Sequence, residues 1–181
     1  MNYIKITKND IANGPGVRVT LWVAGCSLHC KGCHNPQTWN FNAGKLFDET
    51  VRQELFAALS KSHIQGLTIS GGHPLETENV QDVYNLISEI KNHFSNKDIW
   101  LYTGYTLSTY NFSSLMRGIS PECTHHNMIN RILNMCDVVV DGPYIEEQRD
   151  ITLPFMGSKN QRLIDVQETL KQGQIIQYKI N

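Results

Sequence analysis

Cys26, Cys30 and Cys33 fall within eight positions, and no other feature of this chain restricts its structure as much. Three thiols so close in sequence can face one centre when the stretch that carries them is a loop. The chain has five cysteines, an odd number, and nothing in it signals the oxidising compartment that a disulfide framework needs. Clustered thiols in a reduced chain more often bind metal. Soft thiolates select zinc, copper(I) or iron–sulfur clusters. A structural zinc site is closed and takes four ligands. His34 or His29 is available as the fourth, although the adjacent Cys33 and His34 approach one tetrahedral ion together only awkwardly. A fourth ligand elsewhere in the fold keeps zinc open beside the cluster reading. Cys136 borders the apolar run Val138–Val140 and reads as a buried small hydrophobe. Cys123, near His125 and His126, reads as a loop residue.

Around that loop the chain alternates strand and helix signals. Val17–Val23 is β-branched and aromatic, bounded by glycines, and reads as a strand. Asp48 can cap a helix from Glu49, in which Val51, Leu55, Ala58 and Leu59 recur at helical spacing. Gly66–Ser70 is a second strand. A helix with Val80, Val83, Ile87, Ile90 and Phe94 on one face follows it. Ile99–Tyr102 and Asp137–Val140 are further strands, with a helix around Asn127–Met135 between them. The tail gives a strand at Gln161–Val166, a short helix to Lys171 and a last strand at Gln174–Tyr178. The stretch Tyr105–His126 is polar, weakly periodic, and has no clear place.

Such alternation predicts parallel βαβ units with right-handed crossovers in one domain over residues 1–181. The residues with chemistry follow the strands: the cysteines after the first, SGGHP after the second, TGY after the third, DGPY after the fourth. In parallel α/β sheets and barrels, loops leaving the C-terminal strand ends converge on one site. One site built from all four is the economical reading.

Sixteen Lys and Arg against seventeen Asp and Glu leave a net charge of −1, so there is no general electrostatic grip on nucleic acid or an anionic membrane. No apolar stretch reaches the roughly 18 residues of a spanning helix. The opening MNYIKITKND lacks the basic and apolar regions of a signal peptide. A soluble, cytoplasmic protein is the expectation.

The segment NGPGVRVTLWVAGCSLHCKGCHNPQTW, with SGGHPL, DIWLYTGYT, VVVDGPY and GSKNQR downstream, resembles the activating enzymes of anaerobic ribonucleoside-triphosphate reductases. These belong to the radical S-adenosylmethionine superfamily. The likeness runs from about Met1 to Asp165 and is weakest in Tyr105–His126. It implies an incomplete (β/α) barrel with a parallel sheet, open on one side. It also implies that Cys26, Cys30 and Cys33 are the catalytic and metal-ligating residues, holding a four-iron, four-sulfur cluster whose fourth iron takes S-adenosylmethionine. Reductive cleavage of that ligand would then place a glycyl radical on the partner reductase, with electrons from an unidentified donor. The cluster and the ligand carry the hard chemistry. Activation of another glycyl-radical enzyme, such as pyruvate formate-lyase, is the nearest alternative; a zinc-binding interaction module is the competing class.

The same resemblance assigns Gly32, Cys33 and His34 to the stretch whose backbone lies against S-adenosylmethionine. Gly71 and Gly72 would let backbone approach the ligand's amine, and Asp141 corresponds to a carboxylate near the cofactor. His73 departs from the pattern, which usually has an acidic residue after the glycine pair; a weaker, more pH-sensitive grip on the cofactor follows as the expectation. Asn13–Gly16 forms a stiff turn from which Arg18 could reach a carboxylate or the partner chain. Thr103 and Tyr105 are weaker candidates. Trp39 and Trp100 read as core. Met156 stands where the resemblance expects an arginine before Gly157–Arg162.

Overall fold

A computed structural model of the chain describes residues 1–108 and 125–180; Cys123 and most of Tyr105–His126 lie outside them. The N-terminal half runs β1 (Asn2–Asp10), β2 (Val17–Val23), β3 (Lys45–Leu46), α1 (Glu49–Leu59), β4 (Ile64–Gly71) and α2 (Val80–His93). Then come β5 (Asp98–Tyr102), α3 (His125–Met135), β6 (Val138–Asp141), β7 (Arg162–Asp165) and α4 (Val166–Gln172). The strands form one open sheet in the order β3-β1-β2-β4-β5-β6-β7.

The central strands β2, β4, β5 and β6 are parallel neighbours, as the alternation of elements predicts. The rest of the sheet corrects the expectation of a parallel one. β1 pairs antiparallel with both β2 and β3, and β7 pairs antiparallel with β6. β1 reaches β2 through the short turn Ile11–Gly16, and a parallel crossover needs a dozen residues or more. The tail differs too. Instead of a full strand, Gln174–Tyr178 makes a single bridge to β7 at Ile164–Gln177, with Tyr178 N–H donating to Leu163 O at 2.8 Å.

Local chemistry explains the helix starts. Asp48 accepts Val51 N–H at 3.0 Å at the head of α1, and Asp165 accepts Glu168 N–H at 3.0 Å at the head of α4. These caps satisfy backbone donors that the first turn leaves without partners.

Strand periodicity gives the sheet two unlike faces. Val19, Leu21 and Val23 with Leu67, Ile69, Ile99, Leu101 and Val139 join the buried faces of α1, α2 and α3 in the main core. Each fully buried aliphatic side chain there stabilises the fold by roughly 1.5–3 kcal/mol. Cys136 lies in this core, fully buried, as the sequence predicts. The other face carries Arg18, Thr20 and Trp22 on β2, and a smaller cluster of Trp100, Val138, Val140 and Leu163 packed against Tyr102, Phe155, Met156 and Tyr178.

Arg18 stays within this framework. Its side chain is fully buried and 2.5 Å from Asp98, donates to Thr68 Oγ1 at 2.8 Å and Leu67 O at 3.0 Å, and lies over the Trp100 ring. The carboxylate it reaches is therefore internal. Thr68 Oγ1 donates in turn to Asn13 O at 2.8 Å, and a Cβ at Gly14 would meet Arg18 Cδ at 2.8 Å. The Asn13–Gly16 turn closes directly onto the arginine, and Gly14 has φ +139°.

Candidate functional site

The four parallel strands end around one cavity of about 460 Å³, within the usual range for a small-molecule site. Cys26, Cys30 and Cys33 line it after β2; Gly71, Gly72 and His73 after β4; Thr103 and Gly104 after β5; Gly142 and Tyr144 after β6. The cavity continues along the face of the sheet away from the helices, where Trp22, Ser70 and Tyr102 contribute to its wall. His34, Gly157 and Gln161 also line it; Gly32 and Asp141 do not.

All three clustered thiols are free and half-buried. The loop that carries them is held by backbone bonds at its root, Gly25 N–H to Thr38 O at 2.7 Å and Cys26 N–H to Trp39 O at 3.1 Å. Cys33 N–H donates to Cys30 O at 3.1 Å, and Asn35 N–H points at Cys33 Sγ at 3.4 Å. Burial pushes the Cys26 thiol up, against the pull of the Leu28 and His29 backbone N–H groups, and the nearby Glu76 carboxylate adds to the rise.

The glycine pair serves the contact between the two loops. Gly71 has φ +105°, and a Cβ there would stand 2.7 Å from Val23 O; a Cβ at Gly72 would stand 2.4 Å from Gly25 O. Gly72 N–H donates to Val23 O at 2.8 Å and His73 N–H to Gly25 O at 2.7 Å. Only glycine leaves room for the two strand exits to lie so close.

Both ring nitrogens of His73 are engaged, Nδ1 with Glu76 at 3.2 Å and Nε2 with Thr103 Oγ1 at 2.8 Å. The ring stands edge-on to Tyr105 at 4.3 Å. Burial holds its pKa below the ordinary imidazole value, with Glu76 opposing. Asp141 is fully buried, accepts Arg162 Nε at 3.0 Å and Leu107 N–H at 2.8 Å, and also pairs with the Arg162 Nη2 group. The polar stretch Ser158–Gln161 knots the exit of β6. Gln161 Oε1 accepts Gly157 N–H at 2.8 Å, its amide donates to Gly142 O at 3.0 Å, and Asn160 donates to Pro143 O at 2.7 Å.

Across the mouth, the segment after β6 clamps the cysteine loop. Lys31 and Glu147 pair at 2.9 Å, His34 stacks on Tyr144 at 4.7 Å, and a Cβ at Gly32 would fall 1.9 Å from Glu146 Oε2. Gly32 has φ +72°, so its lack of a side chain serves both the turn and the clamp. Trp100 is core, as its sequence setting indicates. Trp39 instead lines the cavity and stacks on His29 at 4.6 Å.

Sequence reasoning missed Glu76, Asn79, Tyr144 and Glu146. Asn79 is buried and donates to Ala24 O at 2.8 Å and His73 O at 3.1 Å. Glu76, 7% exposed, accepts Ser27 N–H and Ser27 Oγ–H, each at 2.8 Å. Glu76 and Asn79 read in sequence as polar residues leading into a helix, and only the fold turns them toward the cysteine loop.

The donor set suits an iron–sulfur cluster. Cys26, Cys30 and Cys33 are free, half-buried thiols that line one cavity, the soft ligands such a cluster takes. The thiols around the cavity rim can each take a separate iron. The Trp39 indole N–H is buried in the cavity wall without a partner among the described residues, which leaves a hydrogen-bond donor to spare.

Fold and site together define an α/β protein with a ligand cavity beside a loop of three free cysteines. The profile of the 4Fe-4S single cluster domain matches residues 12–164. A protein of Haemophilus influenzae is 39% identical over 163 residues, covering 89% of this chain and 96% of the relative; it is named anaerobic ribonucleoside-triphosphate reductase-activating protein. Proteins of the same name from Enterobacteria phage T4 and Escherichia coli K12 are 40% and 35% identical, covering 90% and 89% of this chain and 93% and 96% of their own length. The chain belongs to the family of anaerobic ribonucleoside-triphosphate reductase-activating proteins, as its sequence motifs indicate.

Proposed function

We propose that the chain activates an anaerobic ribonucleoside-triphosphate reductase by reductive cleavage of S-adenosylmethionine at a 4Fe-4S cluster, leaving a glycyl radical on the reductase. The observation that carries this reading is the meeting of three free thiols and two glycine loops at one cavity. Cys26, Cys30 and Cys33 hold three irons. When bound, the cluster would supply the single electron for reductive cleavage of S-adenosylmethionine, the chemistry that would leave a glycyl radical on the reductase.

The chain's own residues position that ligand and shield it. Gly71, Gly72 and the backbone of Cys33 and His34 form its cradle, Gly32 shapes the turn that presents Cys33, and His73 and Asp141 brace the cradle from behind. The open sheet is an incomplete (β/α) barrel of the radical S-adenosylmethionine type in a single domain, and its unclosed side admits the partner's glycine segment. An electron donor in the same compartment, the cytoplasm, completes the system.

Anaerobic reconstitution with iron and sulfide, then reduction and electron paramagnetic resonance with and without S-adenosylmethionine, tests the reading. The expected result is a reduced-cluster signal that changes when the ligand is added, with cleavage lost in Cys26→Ala. No cluster signal, with zinc present by metal analysis, overturns it in favour of a binding module.

A further inference from the structure

Glu76 is a buried carboxylate that touches two of the site's loops at once. One of its oxygens, Oε1, takes Ser27 N–H and Ser27 Oγ–H at 2.8 Å each and His73 Nδ1 at 3.2 Å. Burial by itself would raise its pKa, but the two Ser27 donors and His73 outweigh it and leave the carboxyl below its usual range. A carboxylate only accepts, so Nδ1 of His73 carries the proton. Its Nε2 then accepts from the Thr103 hydroxyl at 2.8 Å, and Thr103 Oγ1 accepts Tyr105 N–H at 3.1 Å. Each step in the series from Ser27 to Tyr105 pairs a donor with an acceptor. The chain joins the exits of β2, β4 and β5, the three loops that bring thiols, glycines and hydroxyl to the cavity.

We infer that Glu76 is the positioning residue of this site: it fixes the cysteine loop through Ser27 and sets a permanent negative charge beside the thiolates, which lowers the reduction potential of a cluster held there. The first half stands on the hydrogen bonds alone; the second rests on the proposed cluster. Net charge near an iron–sulfur cluster is one of the terms that set its potential. A fixed anion opposes the arrival of an electron, and the low dielectric of a buried site keeps the effect from being screened.

Two variants separate position from charge. Glu76→Gln keeps an acceptor oxygen for Ser27 and removes the charge; Glu76→Ala removes both. In the full-length chain before iron is added, hydrogen exchange of the Ser27 amide should speed up at least tenfold in Glu76→Ala and stay near wild type in Glu76→Gln. After reconstitution, Glu76→Gln should hold as much iron and sulfide as wild type. At a fixed solution potential its reduced-to-oxidised ratio should rise about tenfold, a positive shift of about 59 mV for a one-electron couple. Unchanged exchange in Glu76→Ala overturns the positioning role. An unchanged midpoint potential in iron-replete Glu76→Gln overturns the electrostatic one. A wild-type chain that takes up no cluster refutes the proposed function and the electrostatic half with it, while the exchange experiment still decides whether Glu76 holds the loop.

Discussion

Gly72 marks the closest approach of the two principal site loops, and filling it tests whether their contact builds the site. A Cβ at this position falls 2.4 Å from Gly25 O and 3.0 Å from Gly25 C and N. Ordinary contact begins near 3.4 Å, so the cysteine loop must withdraw by about 1 Å. All three atoms are backbone, and no rotamer change relieves the overlap. Withdrawal disrupts His73 N–H to Gly25 O and Gly72 N–H to Val23 O, bonds of 2.7 and 2.8 Å. Two such bonds contribute about 1–3 kcal/mol together, and overpacking adds about 1–3 kcal/mol. Gly72→Ala should therefore cost roughly 2–6 kcal/mol. For a chain of this size that lowers Tm by roughly 4–24 °C. Anaerobic thermal unfolding followed by circular dichroism reads the first effect, and iron content after reconstitution reads the displaced loop. Gly104→Ala is the control. Its Cβ lies nearer to a neighbour, 2.1 Å from Leu28 Cδ1, but that atom ends a flexible side chain, and a rotamer change costs only about 1 kcal/mol. If Gly104→Ala proves as damaging as Gly72→Ala, or Gly72→Ala leaves both Tm and iron unchanged, the loop-contact argument fails.

Three more outcomes follow from the same geometry. Arg18→Ala strands Asp98 and three further acceptors, Thr68 Oγ1, Leu67 O and Pro15 O, and should cost about 3 kcal/mol or more in urea unfolding; a stable variant with weakened partner binding would restore the surface role offered by the sequence. Asn79→Ala leaves Ala24 O and His73 O without their buried donor and should cost about 1–3 kcal/mol, with a faster-exchanging Gly25–Ser27 segment; unchanged exchange would show that Asn79 does not hold that loop. His73 and Glu76 both have lowered pKa values in the folded chain, so the unfolded chain binds more protons at each. Their stabilising contributions are complete above the unfolded values, about 6.5 for His and 4.3 for Glu, and are lost as pH falls through the folded ones. Tm should accordingly drop on acidification below about pH 6.5, and less steeply in His73→Asn; equal slopes in the two proteins would contradict the buried neutral imidazole.

The central elements were legible because their physics is local. Val17–Val23 has the β-branched pattern of a buried strand, and Asp48 states the start of α1 in one residue. β1 was missed because its face is half solvated: Lys5, Thr7 and Lys8 interrupt the alternation, and a strand that borders only β2 and the two-residue β3 needs no apolar run. Parallel pairing at the sheet edges was the wrong extrapolation for the same reason. Alternating helices dictate the crossovers between β2, β4, β5 and β6 but say nothing about β1, which enters by a turn, or β7, which returns without a helix of its own.

The site shows the same division. Cysteine spacing and glycine pairs are local signals, and they led to the cavity residues Cys26, Cys30, Cys33, Gly71 and Gly72. The buried polar partners were invisible, because a carboxylate at the head of a helix is ordinarily a solvated charge that favours the N-terminus. Glu76 sits just ahead of α2 and has that sequence signature, yet its oxygen turns inward to Ser27, 49 positions away. What redirects it is the glycine pair. With no Cβ at 71 and 72, the exits of β2 and β4 approach until Gly25 and His73 share a backbone hydrogen bond, and the Ser27 donors then come within reach of the carboxylate. The local signal and the hidden one are thus cause and consequence: glycine makes the loops meet, and Glu76 and Asn79 supply the acceptor and donor that such a meeting would otherwise leave without partners.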